Sequence, residues 1–437
     1  MIKNAKWFGL GVAVVACAVV IAGCSNEESP LGPPTLSTKK PLTTTYSFSQ
    51  QLDRNSAEDR DSRLIYTAYA SDQPPSVPQA PFPVLYLLHD YLGDAGYFER
   101  YALQALIDEM YANGEIGRML VVTVDASNYF GGSYYRNSTT TGKYEDVLDA
   151  TIASIESTFR IHTRAGRNAR GIAGHGMGGY GAMRYTLDHP DMFSSVSSLS
   201  GPLSLGDPNT GTGLWNPTNG LITTVFEQNA TGPGDASLYS KLKEGAEIYN
   251  DTRNFFAMAS AFSPHPLRVF DSLGIKLVLK YPFVGQRFDT IFNYEWYSGL
   301  SAGANTVAFE SQVDTFGVGV DLPFDADGDV TDGIWALWRD SADVKTVFVS
   351  KRQQDPTFWN DVSIYFDVGL QNEYGYLEQN RDLDATLTQA GVAHTYEEYE
   401  GSGALPAGHS DLLLSRLREV LKFHSDRFER PDGPEGQ

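Results

Sequence analysis

Residues 174–182 read GHGMGGYGA, and this stretch decides the fold. It follows a short apolar segment, 171–173, and precedes a helical pattern. Glycine adopts backbone conformations that other residues resist, so such a run lets a strand turn sharply into a helix. A glycine-rich loop that binds a dinucleotide phosphate is the alternative, but such loops follow the first strand of a sheet and this stretch comes late. We therefore predict a strand-to-helix turn.

The central residue of this turn is Gly176. In the G-x-S-x-G turn, called the nucleophile elbow, a serine occupies this position and the backbone N–H of the next residue stabilises an oxyanion. Gly176 carries no Oγ, so no acyl-enzyme can form there. A serine held in the strained elbow costs about 1–3 kcal/mol, which glycine avoids. Gly176 therefore indicates a chain that kept the fold but lost the catalytic serine, and with it the backbone strain that a serine would cause at this position.

Strand and helix patterns alternate before the turn. Residues 84–88 and 119–124 are continuous apolar runs, typical of strands buried on both faces of a parallel sheet. Between them, residues 103–110 place apolar side chains three and four positions apart, which predicts a helix. Residues 46–49 and 64–69 predict two further strands that flank a polar loop.

The alternation fails between about residues 202 and 360, which predicts a long cap-like insertion. Regular order returns with a strand at 362–366, a helix around 383–390, a strand at 394–399 and a final helix around 413–421. We predict an α/β fold, with a mostly parallel sheet and helices on both faces.

The N-terminus predicts a lipoprotein signal peptide. Lys3 and Lys6 precede an uncharged apolar stretch, 8–22, that ends directly before Gly23 and Cys24. The stretch is short for a membrane-spanning helix. A plain signal peptide or a membrane anchor is the alternative. Cleavage before Cys24 would leave a lipidated cysteine that tethers the chain to a membrane.

The predicted organisation has four parts. Residues 1–23 form the signal peptide, the polar and proline-rich residues 24–42 a tether, 43–428 the folded domain and 429–437 a tail. Ser25, not Asp, follows the lipidated cysteine, so we expect a cell-envelope protein at the outer membrane or the cell surface.

The net charge and the cysteine content argue against a nucleic-acid partner and against a disulfide-bonded protein. The net charge of −21 becomes −23 once Lys3 and Lys6 are removed, which argues against nucleic-acid partners. Cys17 leaves with the signal peptide and Cys24 carries lipid, so the mature chain has no disulfide. A small molecule, a glycan or a protein remains as a possible partner.

Several further short sequence motifs lie within residues 43–425. They are 83–89 (PVLYLLH), 131–138 (GGSYYRNS), 142–146 (GKYED), 174–182 with 189–191 (HPD), 322–324 (LPF) and 408–410 (GHS). Together they resemble the esterase family that includes S-formylglutathione hydrolase, feruloyl esterases and mycolyltransferases. The resemblance implies an α/β-hydrolase fold with a catalytic triad in the order serine, acid, histidine.

The resemblance also exposes a degenerate triad. It places the nucleophile on Gly176, the acid on Asn372 and the histidine on His409, so only the histidine is retained. An asparagine cannot stabilise an imidazolium, and the equivalent change in serine proteases costs about 10⁴ in turnover. Glu373 is the alternative acid, although triad geometry tolerates little displacement.

The loop that completes the oxyanion hole is altered as well. The family sequence H-G-x-G-G reads HDYLG at 89–93. The resemblance implies that the backbone N–H groups of Met177 and Tyr91 are the oxyanion donors. The Asp90 carboxylate beside them would oppose a developing oxyanion.

An acidic stretch at 325–332, DADGDVTD, contains a calcium candidate formed by Asp325, Asp327 and Asp329. Its glycine, Gly328, stands fourth where an EF-hand loop requires it sixth, so a solvated acidic turn is favoured. The histidine spacing predicts no zinc site, and we predict no cofactor.

Aromatic residues of the insertion would either line a cleft that stacks on sugars or aryl groups, or belong to the core, and core is the favoured interpretation. They are Phe292, Tyr294, Trp296, Tyr297, Trp335 and Trp338.

Two hypotheses for function remain. The favoured one is a catalytically inactive relative that binds a ligand or partner in the former active-site cleft. The alternative is an active carboxylic-ester hydrolase or acyltransferase whose nucleophile is unidentified, such as Ser263, or in which His409 activates water.

Overall fold

The computed structural model describes most of the predicted domain. The described residues are 43–51, 63–71, 82–128, 130–138, 141–158, 166–234, 238–264, 267–270, 276–279, 308–309, 320–402 and 406–428. The predicted signal peptide, Cys24, the tether, the tail and the aromatic residues at 292–297 lie outside them. None of the described helices is long and apolar enough to cross a membrane.

The described strands and helices alternate along most of the chain. The strands are β1 (Thr43–Gln51), β2 (Arg63–Ser71), β3 (Val84–Leu88), β4 (Leu120–Val124), β5 (Asn137–Ser138), β6 (Gly142–Lys143), β7 (Arg170–His175), β8 (Ser195–Leu199), β9 (Leu267–Phe270), β10 (Lys276–Leu279), β11 (Ala308–Phe309), β12 (Ser363–Gly369) and β13 (His394–Tyr399). The helices are α1 (Leu103–Ala112), α2 (Tyr144–Thr158), α3 (Met177–Asp188), α4 (Leu221–Asn229), α5 (Leu238–Ile248), α6 (Asn250–Phe262), α7 (Asp332–Leu337), α8 (Val344–Gln354), α9 (Tyr376–Gln389) and α10 (Leu413–Arg427).

The main sheet has eight strands in the order β1-β2-β4-β3-β7-β8-β12-β13. The six strands from β4 to β13 run parallel, while β2 pairs antiparallel with β4 and β1 antiparallel with β2. The predicted mostly parallel sheet is therefore confirmed.

Helices cover both faces of this sheet, which explains its continuous apolar strands. In β3, Tyr86 belongs to the core on one face and Leu85 to the core on the other, and both are fully buried. The first core includes Leu148 of α2 and Met183 of α3, while the second includes Leu417 of α10. Both faces of a central strand such as β3 are thus buried, which favours its continuous apolar sequence.

The segment between β8 and β12 contains α4 to α8. Helices α4, α5 and α6 pack on one another, and β9 pairs with β10 and β11 in a small separate sheet. Helix α8 packs against α3 and α9 beside the main sheet. Trp335 and Trp338 are buried in the core, so the core interpretation is confirmed for these two aromatic residues.

The parallel strands bring their carboxyl ends to one edge of the sheet. Asp90 follows β3, Gly176 follows β7, Asn372 follows β12 and His409 lies in the loop after β13. Ligand sites of open α/β sheets lie at this edge. The sequence-predicted site residues therefore meet at one place.

Candidate active site

The turn between β7 and α3 has the strained geometry of an elbow. Gly176 has φ +51° and ψ −114°, and its N–H donates to Leu199 O at 2.8 Å. The start of α3 packs directly on the end of β3, because a Cβ on Gly178 would overlap the carbonyl of Leu88 and lie 2.7 Å from that of His89. Glycine at these two positions allows the sharp turn and the close approach.

Asn372 lies beside the His409 ring with a fixed orientation. Its Oδ1 accepts hydrogen bonds from the backbone N–H groups of Tyr374 at 3.1 Å and Tyr376 at 3.2 Å. Its Nδ2 therefore faces Nδ1 of His409, at 3.3 Å. The residues at the predicted acid and histidine positions are thus in contact.

This orientation determines where the His409 ring carries its proton. The amide Nδ2 of Asn372 only donates, so Nδ1 of His409 must accept. The ring proton then resides on Nε2, which lies 2.8 Å from Oδ2 of Asp90 and donates to it. In a serine hydrolase the polarity is reversed, because Nδ1 donates to the acid and Nε2 accepts from the serine.

The Asp90 carboxylate occupies the oxyanion hole. Its Oδ1 accepts from the backbone N–H of Tyr91 at 2.7 Å and from that of Met177 at 2.8 Å. These are the two donors that the sequence assigned to an oxyanion. With Oδ2 bound to His409, one side chain fills both the oxyanion position and the position of the nucleophilic hydroxyl.

Asp90 is held as a carboxylate. Burial raises the pKa of its carboxyl group, but the field of His409 and the hydrogen bond from it, with contributions from His175 and the Met177 N–H, outweigh burial. The net pKa lies well below its ordinary value. Donors that normally stabilise a transient oxyanion here stabilise a permanent negative charge.

Gly176 and Asp90 fit one another. A Cβ on Gly176 would overlap Oδ1 and Cγ of Asp90 and lie 2.8 Å from Oδ2. The sequence explained Gly176 by relief of strain, and the structure adds a second reason, which is space for the carboxylate. Sequence reasoning recognised Asp90 as unfavourable to an oxyanion but missed that it fills the hole.

His175 supports the site through a hydrogen bond to the backbone of His409. Its Nε2 donates to the backbone carbonyl of His409 at 3.0 Å, so its Nδ1 accepts from the Tyr97 hydroxyl at 2.8 Å. Burial, aided by His409, lowers the pKa of His175 to about 3, so its ring is uncharged at neutral pH.

Among the described residues, Asp90, His175 and His409 form the group whose ligand atoms lie close enough to hold a metal ion, within 4.8 Å of one another. These atoms already have partners. Nε2 of His409 is bonded to Asp90, and Nδ1 of His175 is bonded to Tyr97.

The sequence suggested two other residues for catalysis, Glu373 as the acid and Ser263 as a nucleophile. Glu373 accepts a hydrogen bond from the backbone N–H of His409 at 2.8 Å and does not bind the ring. Ser263 is buried, accepts from Trp338 Nε1 at 2.8 Å, donates to Asp321 O at 2.6 Å, and does not line the cavity described below. Ser263 is therefore not positioned to act as a nucleophile in this cavity.

The calcium candidate forms a tight acidic turn. Oδ1 of Asp325 accepts from the backbone N–H of Asp327 at 2.9 Å and of Asp329 at 3.0 Å, and Gly328 takes a positive φ of +85°. Backbone donors thus bind one oxygen of the Asp325 carboxylate, as in a solvated acidic turn.

A cavity of about 300 Å³ opens above Asp90 and His409. Met177, Asn254 and Asp251 also line it. Its remaining wall is rich in tyrosine, from Tyr91, Tyr97, Tyr101, Tyr134, Tyr374 and Tyr376. The volume suits a small ligand.

Comparison with known proteins gives a family match. The sequence model of the family described as "Putative esterase" matches residues 72–411. "Esterase Rv1288" of Mycobacterium tuberculosis (strain ATCC 25618 / H37Rv) and "Esterase MT1326" of strain CDC 1551 / Oshkosh are each 32% identical over 140 residues, 30% of this chain. The aligned part covers 28% of the length of these relatives.

The comparison with solved structures matches several esterases. A ferulic acid esterase is 18% identical, with a TM-score of 0.46 and coverage of 89% of this chain and 100% of its own. S-formylglutathione hydrolase (FrmB) from Staphylococcus aureus is 13% identical, with a TM-score of 0.48 and coverage of 88% and 99%. Since the family match covers most of the chain and the sheet has the predicted topology, the chain belongs to the esterase family of α/β-hydrolases.

Proposed function

We propose that this chain is a catalytically inactive esterase-family protein that binds a ligand in the former active-site cleft and is attached to the cell envelope by a lipid on Cys24. One observation carries the first part of the proposal. The Asp90 carboxylate lies between the Met177 and Tyr91 N–H groups and also binds His409.

This arrangement opposes each step of ester hydrolysis. Gly176 offers no hydroxyl to attack a carbonyl carbon. His409 presents a proton at Nε2 where a general base needs a lone pair. The donors of the oxyanion hole are bonded to a negative charge, and the loss of one such donor alone costs about 10²–10³ in turnover.

The alternative is an active hydrolase in which another group attacks. Asp90 is the carboxylate nearest to the vacated position, but both its oxygens accept hydrogen bonds from the groups that would have to assist the attack. Activation of water by His409 is opposed by the same contact, because Nε2 donates to Asp90.

Ester hydrolysis in designed variants tests the inactive state. Wild-type protein should neither hydrolyse short-chain nitrophenyl esters nor react with a fluorophosphonate probe. The variant Asp90→Gly/Gly176→Ser/Asn372→Asp restores the family residues at all three positions and should gain both activities. Gly176→Ser alone should gain neither, because Asp90 still occupies the site. Esterase activity of the wild type that survives His409→Ala but is lost on Asp90→Asn would refute the proposal in favour of a carboxylate nucleophile.

The lipid anchor requires a separate test. The sequence of residues 21–24, IAGC, supports cleavage before Cys24 and acylation of its thiol. Cells fed an alkyne-tagged fatty acid should label the protein, and Cys24→Ser should abolish both labelling and sedimentation with membranes. Cys17→Ser is the matched control and should leave labelling intact. Labelling that persists without Cys24 would contradict the anchor.

A further inference from the structure

We infer that the cavity above Asp90 binds an uncharged polyhydroxylated ligand, of the kind and size of a small saccharide. The inference rests on the proposed function, because it takes the former active-site cleft as a ligand site and names what that site would bind. Three features of the described residues support it. They are two buried polar groups without partners, a carboxylate beside one of them, and tyrosine rings in the wall.

The first buried polar group is the hydroxyl of Tyr376. This residue begins α9, lines the cavity and is only 5% exposed. Its backbone is bonded to Asn372 and Asn380, but within the described part of the chain its hydroxyl forms no hydrogen bond. Burial and the charge of Asp90 raise the pKa of this hydroxyl well above its ordinary value, so it keeps its proton and can donate. Polar groups this deeply buried normally have a partner, and a ligand oxygen would supply one.

The second buried polar group is Nδ2 of Asn254. Asn254 lies on α6, lines the same cavity and is 7% exposed. Its Oδ1 accepts from the Tyr134 hydroxyl at 2.7 Å, which fixes the orientation of the amide. Among the described residues, Nδ2 has no acceptor. Neither this nitrogen nor the Tyr376 hydroxyl is sealed from solvent, so both donors are presented to the cavity.

Asp251 provides an acceptor beside the Asn254 donor. It lies three positions earlier on α6, so the two side chains are neighbours on one helix face, with about 5–6 Å between their Cβ atoms. One oxygen of Asp251 accepts from Gln228 Nε2 at 2.9 Å, and the described residues bring no donor to the other. An acceptor and a donor side by side match adjacent hydroxyl groups of a sugar, because each hydroxyl can both donate and accept.

The tyrosine rings suit the rest of such a ligand. A pyranose has hydroxyl groups around its edge and C–H groups on its faces, and a tyrosine likewise combines an apolar ring with a polar tip. Tyr91, Tyr101 and Tyr374 line the cavity together with Tyr376. The volume of about 300 Å³ lies at the lower end of the range for ligand sites, which favours a monosaccharide or disaccharide over a long polymer.

The charges of the wall disfavour ionic ligands. Asp90 and Asp251 would repel a carboxylate or a phosphate, and Arg100, the guanidinium of the described lining, is already paired with Asp94 at 2.8 Å. Asp90 is bonded to His409 and to two backbone N–H groups, so it does not require a cation. A neutral ligand that both donates and accepts hydrogen bonds is therefore favoured.

Ligand-observed NMR titration of the full mature protein tests the inference. The probes are the methyl pyranosides of glucose, galactose, mannose and xylose. Methyl glucuronoside is the matched charged ring, and cyclohexanol is the matched ring with a single hydroxyl. We expect at least one of the four pyranosides to bind with a Kd of about 1 mM or tighter. The glucuronoside and cyclohexanol should bind at least about tenfold more weakly.

Three variants locate the binding. Tyr376→Phe removes only a hydroxyl without a partner in the described structure, so it should weaken pyranoside binding about three- to tenfold without lowering the thermal unfolding temperature. Asp251→Asn keeps an oxygen for Gln228 but replaces the second acceptor by a donor, and it should weaken binding by a similar factor. Tyr396→Phe is the matched control, because the Tyr396 hydroxyl bonds to Glu398 outside the cavity, and it should leave binding unchanged.

Failure of all four pyranosides to bind would overturn the inference. So would equal binding of the glucuronoside or of cyclohexanol, or an affinity that neither Tyr376→Phe nor Asp251→Asn changes. Ester hydrolysis measured on the same preparation separates the two proposals. Hydrolysis by the wild type refutes the inactive function, whereas absence of pyranoside binding from an inactive protein refutes only the saccharide site.

Discussion

Asp90 and Gly176 depend on each other, since the carboxylate fills the space that a side chain at 176 would need. Gly176→Ala should therefore destabilise the protein by about 1–3 kcal/mol through overpacking and the positive φ. Asp90→Gly in the same chain should recover part of that loss. Urea unfolding of both single variants and the double variant measures the coupling. Additive effects would show that the two positions are independent.

A second residue-scale prediction concerns hydrogen-bond polarity. In Asp90→Asn the introduced amide can still accept from Met177 and Tyr91 through its oxygen, but its nitrogen then donates toward Nε2 of His409. The ring proton must move to Nδ1, where it faces Nδ2 of Asn372. The variant should lose about 1–3 kcal/mol.

Asn372→Asp should rescue this variant, because a carboxylate accepts the proton on Nδ1. The comparison of all four proteins by denaturant unfolding checks the expectation. A double variant no more stable than Asp90→Asn alone would contradict the assigned orientation of Asn372.

The sequence predicted the residues of the site better than their interaction. Gly176, Asn372 and His409 were found because each falls on a motif position of the family. Asp90 was noticed as a charge in the oxyanion loop, but its contacts with Met177 and His409 span 87 and 319 residues of chain. Contacts over such separations depend on how β3, β7 and β13 are ordered in the sheet, which no local pattern gives.

At the scale of elements, the contact between α3 and β3 holds the elbow at the end of the sheet. Gly178→Ala should strongly destabilise the protein, because the new methyl group would overlap the Leu88 carbonyl and part these elements. Gly333→Ala in α7 is the matched control. Its methyl group meets open space, so it should be neutral or stabilising by up to about 1 kcal/mol. Thermal unfolding measures both, and similar effects would contradict the close packing at 178.

Some of the strands and helices coincide with patterns in the sequence, and others do not. Strand β3 coincides with the apolar run at 84–88, and β13 with the predicted strand at 394–399. The arrangement of α4, α5 and α6 was not predicted. Their buried faces meet one another in the segment between β8 and β12, where strand and helix patterns do not alternate.

At the scale of the molecule, buried histidines predict acid sensitivity. Burial lowers the pKa values of His175 and His424 to about 3 from 6.5, and it also lowers that of His89. The unfolded chain then binds more protons than the folded chain below pH 6.5, so stability falls as the pH falls. Each such group contributes about 1.4 kcal/mol per pH unit once its unfolded form is protonated.

His424→Gln tests this dependence. His424 contacts the hydroxyl groups of Ser195 and Ser197 at 2.7 and 2.9 Å, so the variant should be less stable at pH 7. Its stability should then fall less steeply between pH 6.5 and about 4.5, by about one proton. Denaturant unfolding across this range measures the slope. An unchanged slope would mean that His424 is already protonated in the folded protein.

The position of the His409 ring proton tests the central claim most directly, because it depends on both Asp90 and Asn372. Nitrogen-15 NMR of histidine-labelled mature protein at neutral pH resolves the two ring nitrogens, and His409→Gln identifies the signals. We predict a proton on Nε2 and none on Nδ1. A proton on Nδ1 with Nε2 bare, the pattern of a working serine hydrolase, would contradict the account.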